Sequence, residues 1–236
     1  MGTAGLALAL AACGGGEDPP PRAPAPSATR AAEPAPPAER RVRFRAADGK
    51  GVAGVFRPAG GAAPAVVLVN GLVGGAGQWE RFAPYLRDAG IASLTYDGRG
   101  GVDAAELAEE VTGALAFLRR RADVDPERLG IVGSSIGGAT ALLALTGPDG
   151  RLVRAAVAIS PPTASPLEAL VARDRFHPRD VLFLTDQREK ASVTPFARDA
   201  PGSRLVVSEQ TGHGVALLDG AANRGAVLDW LAARLG

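Results

Sequence analysis

The chain has 236 residues, of which 46% are hydrophobic, and its formal net charge is +1. This length and apolar content suit one globular domain with an appendage. The near-neutral charge argues against nucleic-acid binding, which needs a basic face. A single cysteine excludes an internal disulfide.

The first residues of the chain are almost wholly small or apolar. Residues 1–12 contain no Lys or Arg, and Leu10-Ala11-Ala12-Cys13 has the form of a bacterial lipobox. Residues 1–13 therefore resemble a lipoprotein signal peptide and are too short to span a bilayer as a helix. In such a signal the cysteine becomes the lipidated first residue, so Cys13 is predicted to carry a membrane anchor. The alternative is an apolar tail with an incidental cysteine.

Residues 14–40 are rich in Pro, Ala and Gly and contain no large apolar side chain. A segment of this composition cannot bury enough surface to offset its ordering entropy, so it is predicted to be a disordered tether. Tether and anchor together predict a domain held off a membrane in the bacterial cell envelope, facing the periplasm or the exterior. The residue after Cys13 is Gly14 rather than the aspartate that retains lipoproteins in the inner membrane. Its identity therefore favours the outer membrane, where the cell has one.

Strand and helix patterns alternate over residues 41–236, which are predicted to form one domain. They begin with a hairpin around Asp48-Gly49, with strands at 42–45 and 52–56. Further strands are expected at 65–69, 91–95, 129–132, 153–159, 181–185 and 204–207, with helices at 78–87, 104–121, 139–145, 166–173 and 221–235 and a turn at Asp125-Pro126-Glu127. This alternation predicts a mostly parallel, eight-stranded sheet with helices on both faces. Active sites in such sheets lie at the carboxyl ends of the strands.

The five residues Gly133-Ser134-Ser135-Ile136-Gly137 fit the G-x-S-x-G nucleophile elbow. A strand pattern precedes them and a helix pattern follows, as this sharp turn requires. The positions two before and two after the nucleophile must be small, because the chain packs against itself there. Ser135 has glycines at both offsets, whereas Ser134 would have Val132 and Ile136. Ser135 is therefore the predicted nucleophile.

A serine nucleophile needs a general base, and the chain has two histidines. His213, in Gly212-His213-Gly214, follows the last predicted strand after a short loop, at the edge of the sheet where Ser135 lies. His177 comes just before a strand, at the opposite edge, and is interpreted as structural. His213 is the predicted base.

The acid that orients the histidine should follow the strand at 181–185, where the chain offers Asp186 and Glu189. Asp186 is the commoner residue type for this role, but it leaves the strand immediately. Glu189 has a few more residues of loop with which to reach the histidine and is favoured. Both remain candidates, and the carboxylate that is not used is expected to be solvated.

The oxyanion formed during acyl transfer needs two backbone N–H donors. Ile136, directly after the nucleophile and at the positive end of a helix, is one predicted donor. Leu72, in the glycine-rich turn Asn70-Gly71-Leu72-Val73-Gly74-Gly75, is the other. This turn lacks the lysine of a P-loop, so it is not interpreted as a phosphate cradle. The predicted chemistry calls for no cofactor and no metal.

Taken together, these motifs resemble the α/β-hydrolase superfamily, and within it the dienelactone hydrolase-like and related serine esterases. The matching pieces are Asn70-Gly71-Leu72, Asp97-Gly98-Arg99-Gly100, residues 124–130, the elbow and Gly212-His213-Gly214, and they cover essentially residues 41–236. The resemblance implies an α/β-hydrolase fold and an acid a few residues past its strand, which again favours Glu189.

Two residues depart from the family pattern, and the acid is ambiguous between Asp186 and Glu189. Asn70 stands where the family often has His, and Val102 stands where the Asp97-Gly98-Arg99-Gly100 run would continue to a glycine. Dienelactone hydrolases use a cysteine nucleophile where this chain has Ser135, so the resemblance does not imply their substrate. About twenty residues separate the strands at 153–159 and 181–185, where the family inserts lids, which predicts an open, unlidded site.

The sequence thus predicts a serine hydrolase that cleaves small-molecule carboxylic esters through an acyl-enzyme. Small peptidase, amidase and thioesterase activities are alternatives, because the same catalytic groups serve them. A catalytically inactive envelope-binding module with this fold is a second hypothesis.

Overall fold

The structure, a computed structural model, describes residues 38–98, 103–164, 167–168 and 175–236. Eight strands are present in this part of the chain. They are β1 (Arg40–Arg45), β2 (Gly51–Arg57), β3 (Ala63–Val69), β4 (Ala92–Tyr96), β5 (Val124–Ser134), β6 (Val153–Ile159), β7 (Val181–Asp186) and β8 (Arg204–Ser208).

The strands form one sheet in the order β1-β2-β4-β3-β5-β6-β7-β8. β1 and β2 pair antiparallel as the predicted hairpin, and β2 is also antiparallel to β4. Every other neighbouring pair is parallel. The mostly parallel eight-stranded sheet is therefore confirmed, and the carboxyl ends of β3, β5, β7 and β8 lie at one edge.

Helices cover both faces of this sheet. They are α1 (Ala83–Asp88), α2 (Ala104–Arg119), α3 (Ile136–Thr146), α4 (Lys190–Arg198) and α5 (Ala221–Leu235), with 3-10 helices at Gly75–Trp79, Gly150–Leu152 and Gly214–Asp219. Apolar side chains of α2, α3 and α4 pack on one face, and those of α1 and α5 pack on the other.

The central strands are buried on both faces, which explains their continuous apolar sequence. In β3, Val67 and Val69 join the core under α2 and α3, whereas Val66 and Leu68 join the core under α1 and α5. This alternation follows from the two-residue period of a strand. Both cores together fix the sheet that presents the loops of the site.

Two predicted elements differ from the structure, and one helix was not predicted. The single helix expected at 78–87 is instead the 3-10 helix Gly75–Trp79 followed by α1, with Pro84 in the first turn of α1, where a missing N–H is tolerated. The turn Asp125-Pro126-Glu127 lies inside β5, as an irregularity between the pairs Ala63/Val124 and Ala65/Leu129. No sequence pattern predicted α4.

Several predicted features lie outside the described residues. They include Cys13, the signal segment, the tether up to residue 37, Val102, and all of the helix expected at 166–173 except Leu167 and Glu168. The connection from β6 to β7 spans about twenty residues, and its described part contains no large lid. Among the described helices, none combines the length and the apolarity that crossing a bilayer would need.

Two helical glycines with opposite surroundings test the packing of α2 on the sheet. A Cβ at Gly113 in α2 would overlap the backbone of Arg45 and Ala46, whereas a Cβ at Gly225 in α5 would meet no atom within 4 Å. Gly113→Ala should lower the free energy of unfolding by about 1–3 kcal/mol, because overpacking outweighs the gain in helix propensity. Gly225→Ala should raise it by about 0.5–1 kcal/mol. Denaturant titration of both variants measures the difference, and stabilisation by both would contradict this packing.

Candidate active site

The turn between β5 and α3 has the geometry of a nucleophile elbow. Ser135 stands at this junction with φ 53° and ψ −123°, in a region that residues other than glycine rarely adopt. A Cβ at Gly133 would overlap the backbone of Gly137, and a Cβ at Gly137 would overlap the carbonyls of Val69 and Asn70. Glycine is therefore required at both positions that the sequence motif specifies.

A continuous line of hydrogen bonds joins Ser135, His213 and Glu189. Ser135 Oγ lies 2.8 Å from His213 Nε2, and His213 Nδ1 lies 2.6 Å from Glu189 Oε1. Because a carboxylate can only accept, Nδ1–H donates to Glu189, which leaves Nε2 of the neutral ring to accept from the Ser135 hydroxyl. The structure thus brings together the predicted nucleophile, the predicted base and one of the two candidate acids.

Thr185 is a further member of this group that sequence reasoning missed. It lies at the end of β7, fully buried, and its hydroxyl donates to Glu189 Oε2 at 2.9 Å. One carboxylate oxygen of Glu189 therefore accepts from His213, and the other accepts from Thr185 of β7. A hydroxyl side chain four residues before the acid was the only signal in the sequence.

The second candidate acid, Asp186, has other partners. Its carboxylate accepts hydrogen bonds from the Arg188 side chain at 2.8 Å and from the backbone N–H of Gly212 at 3.2 Å. The Arg188 hydrogen bond holds the pKa of Asp186 below its ordinary value of 3.8; burial opposes this shift, and backbone hydrogen bonds from Gly212, Arg188 and Glu189 add to it. The expectation that the unused carboxylate would be solvated is wrong, since the Asp186 side chain is 2% exposed.

The two predicted oxyanion donors lie beside Ser135. Ile136 is the first residue of α3, so its N–H has no acceptor within the helix. Leu72 follows Gly71, where a Cβ would be 3.5 Å from Ser135 Cβ. Both residues line a cavity of about 140 Å³ with Val69, Tyr96 and Leu107 among its walls. The cavity therefore adjoins the elbow at Ile136, the residue directly after Ser135.

Asn70, the departure from the family pattern, fastens the loop after β3. Its side-chain amide donates to the carbonyl of Tyr96 at 2.6 Å and accepts from the indole N–H of Trp79 at 3.0 Å. Both hydrogen-bonding ends of the side chain are therefore engaged with neighbouring elements. They hold the start of the loop that carries Leu72.

The site is open to solvent, and the other histidine lies away from it. The side chain of His213 is 53% exposed, and Leu72 is 66% exposed. His177 precedes β7, as predicted, at the edge of the sheet opposite the elbow. In the described part of the chain, no group of three or more His, Cys, Asp or Glu side chains is arranged to hold a metal ion.

A family model described as "Alpha/beta hydrolase family" matches residues 66–234, which include the elbow, both candidate acids and His213. The chain belongs to the alpha/beta hydrolase family. The match covers most of the described domain, in agreement with the strand order and with the elbow.

Two curated relatives of this alpha/beta hydrolase match it over about half its length. An uncharacterized Mycobacterium tuberculosis protein is 34% identical over 126 residues, which cover 50% of this chain and 45% of that protein. A thiohydrolase of Arthrinium phaeospermum is 30% identical over 132 residues, which cover 51% of this chain and 42% of the relative. The chain therefore spans less than half the length of these relatives.

Solved structures extend the likeness over the whole domain. The Pyrococcus furiosus esterase Pf2001 has a TM-score of 0.68 at 17% identity, covering 84% of this chain and 94% of the esterase. A dienelactone hydrolase of Anabaena variabilis has a TM-score of 0.66 at 19% identity, covering 83% of this chain and 96% of that enzyme. At these identities the likeness establishes the alpha/beta hydrolase fold.

Proposed function

We propose that this alpha/beta hydrolase cleaves small carboxylic esters, with Ser135 as the nucleophile, His213 as the general base and Glu189 as the acid. The observation that carries the proposal is the hydrogen-bonded line from Ser135 Oγ through His213 to Glu189. Such a line, set at a nucleophile elbow, is the arrangement that activates a serine hydroxyl. The esterase among the structural neighbours supports the same reaction class.

In the first half-reaction that we propose, each group has one role. Nε2 of His213 takes the Ser135 hydroxyl proton as Oγ bonds to the ester carbonyl carbon. The negative charge that develops on the carbonyl oxygen is stabilised by the N–H groups of Leu72 and Ile136, a contribution worth about 10²–10³-fold in kcat per donor. Glu189 stabilises the imidazolium and holds the ring, itself fixed by Thr185.

Collapse of the tetrahedral intermediate releases the alcohol and leaves the acyl group on Ser135. The alcohol oxygen takes its proton from Nε2 of His213 as the carbon–oxygen bond breaks. Water then attacks the carbonyl carbon of the acyl-enzyme as Nε2 of His213 accepts its proton. When the second tetrahedral intermediate collapses, His213 returns this proton to Ser135 Oγ and the carboxylic acid leaves. The exposure of His213 gives this water direct access.

The cavity beside Leu72 and Ile136 argues for short acyl groups. Its volume of about 140 Å³ is close to that of a cavity which holds benzene, about 150 Å³. A short or branched acyl chain fits, whereas a long fatty-acyl chain would extend into solvent. Thioesters are the second substrate class, because one relative is a thiohydrolase.

Ser135→Ala tests both the reaction and the nucleophile. The variant should lose kcat for a short p-nitrophenyl ester by about 10³-fold or more and lose labelling by a fluorophosphonate probe, because it lacks the attacking oxygen. Thr194→Ala, which removes an exposed hydroxyl on α4, is the control and should retain both.

Activity on acetyl esters, thioesters and amides of matched leaving-group acidity then ranks the substrate classes. A folded wild-type protein inactive on all of them would favour the envelope-binding module.

We also propose that Cys13 is lipidated and that the residues between Cys13 and β1 tether the domain to a membrane of the bacterial cell envelope. The position of the chain's one cysteine at the end of Leu10-Ala11-Ala12-Cys13 supports this proposal. A lipid anchor with more than one acyl chain binds a membrane stably, whereas a single chain binds it weakly.

Cys13→Ser should move the protein from the membrane fraction to the soluble fraction, because the substitution removes the acylated thiol. The measurement is fractionation with immunodetection, together with metabolic labelling by a radioactive fatty acid. Ser27→Ala, a change of a hydroxyl residue within the tether, is the control and should leave both unchanged. Membrane association that survives Cys13→Ser would overturn the anchor.

A further inference from the structure

His213 is half exposed, so burial does not hold its ring in place. It lies in a loop between β8 and the 3-10 helix Gly214–Asp219, whereas its partners belong to two other loops. The hydrogen bonds of its ring to Ser135 and Glu189 therefore depend on how the backbone on either side of it is fixed. Both sides are fixed by polar side chains that the proposed reaction does not use.

On the amino-terminal side, Asp186 binds the residue directly before the histidine. Its Oδ2 accepts from the N–H of Gly212 at 3.2 Å, and its Oδ1 accepts from the N–H groups of Arg188 at 2.9 Å and Glu189 at 3.3 Å. One buried carboxylate thus connects the loop that carries Glu189 to the loop that carries His213.

Arg188 binds both Asp186 and Gly212 from the solvent side. Its guanidinium forms an ion pair with Asp186 at 2.7 Å and donates to the carbonyl of Gly212 at 3.3 Å. Both backbone polar groups of Gly212 are therefore engaged. The positive charge balances Asp186, so the buried carboxylate does not add an uncompensated negative charge beside Glu189.

On the carboxyl-terminal side, the serine next to the predicted nucleophile binds the same loop. Ser134 is buried, and its Oγ accepts from the N–H of Val215 at 2.9 Å. Gly214 has φ 60°, and a Cβ there would lie 2.5 Å from Ser134 Oγ. The loop can approach Ser134 this closely only because Gly214 has no side chain.

We propose that Asp186, Arg188 and Ser134 are positioning residues that clamp the backbone on both sides of His213, so that Nε2 stays within hydrogen-bond reach of Ser135. This inference rests on the proposed function, since it assigns His213 as the base. It explains why a buried carboxylate stands beside the acid loop without contacting the imidazole. A displacement of about 1 Å at a catalytic group can cost about 10²-fold in rate, so such a clamp has a measurable effect.

A second aspartate–arginine pair offers a matched control. Asp125 accepts from Arg128 Nε at 2.7 Å and from the N–H of Glu127 at 2.9 Å, and Arg128 lowers the pKa of Asp125. This pair has the same chemistry as Asp186 and Arg188 and lies inside β5, before the elbow. It makes no hydrogen bond to the histidine loop.

The test compares Asp186→Asn with Asp125→Asn in the full chain. The new amide NH₂ in Asp186→Asn replaces either Oδ2, where it would face the donors of Gly212 and of the Arg188 side chain, or Oδ1, where it would face the backbone N–H groups of Arg188 and Glu189. In either orientation the residue loses its hydrogen bonds to one of the two loops, so the clamp is broken with almost no change in volume. Asp186→Asn should lower kcat about tenfold or more with KM within about twofold, since it misplaces the base without changing substrate contacts. Asp125→Asn should leave both constants within about twofold.

Histidine NMR gives a readout that does not depend on turnover. The chain has two histidines, so with ¹⁵N-labelled histidine His177 serves as an internal reference. In the wild type, His213 should show one tautomer with the proton on Nδ1. In Asp186→Asn its signals should shift or broaden towards mixed tautomers, while those of His177 stay unchanged.

The outcomes separate this inference from the proposed function. An active wild type, with Asp186→Asn unchanged in both kcat and the His213 signals, would overturn the clamp. An inactive wild type would refute the proposed function, and the NMR comparison would still decide whether the clamp exists. If Asp186→Asn does not fold, Ser134→Ala takes its place: it should keep the fold and lower kcat severalfold with the same change at His213, and wild-type behaviour would overturn the clamp.

Discussion

The close approach of β5 and α3 at the elbow is the constraint on which the site depends. A Cβ at Gly133 would overlap the backbone of Gly137, and a Cβ at Gly137 would overlap the carbonyls of Val69 and Asn70. This contact turns the chain within one residue and leaves Ser135 at φ 53°. The backbone strain at Ser135 is thus imposed by packing on both sides of the residue. The same turn starts α3, so the free N–H of Ile136 comes next to the serine hydroxyl.

Parallel strands bring the other parts of the site to the same edge of the sheet. Glu189 and Thr185 come from the end of β7, His213 follows β8, and Leu72 follows β3. These loops are separated along the chain and meet only because the sheet places the ends of their strands at one edge. The site that they form is open to solvent. Specific polar contacts, such as those of Thr185 with Glu189 and of Ser134 with the backbone N–H of Val215, connect these loops to the strands around them.

The sequence predicted the sheet because its central strands are buried on both faces. A short continuous apolar run such as Ala65 to Val69 is typical of a strand covered on both sides, and the glycine spacing around Ser135 specifies a turn that few sequences satisfy. The sequence determined the boundaries of the surface helices less well than those of the buried strands. Trp79, Phe82 and Leu86 are all buried in the range predicted as one helix, 78–87, but the chain forms two short helices there.

The sequence left open which carboxylate faces the histidine, and the reason is physical. Asp186 and Glu189 are three positions apart, and either can reach an imidazole from the end of a strand. The structure brings Glu189 to His213 because Asp186 caps the turn that contains Arg188 and Glu189. This turn depends on long-range contacts with Gly212, which no local pattern records. Likewise, the sequence showed only that Ser134 lacks flanking glycines, and it did not indicate the hydrogen bond from the backbone of Val215.

The proposed reaction requires a covalent bond between Ser135 and the acyl group of the substrate. The most direct measurement is mass spectrometry of the protein, acid-quenched during turnover of a slowly deacylating short-chain ester. We expect one acyl adduct, which peptide fragmentation within residues 129–151 assigns to Ser135 rather than Ser134. Turnover without an adduct, or an adduct on another residue, would contradict it.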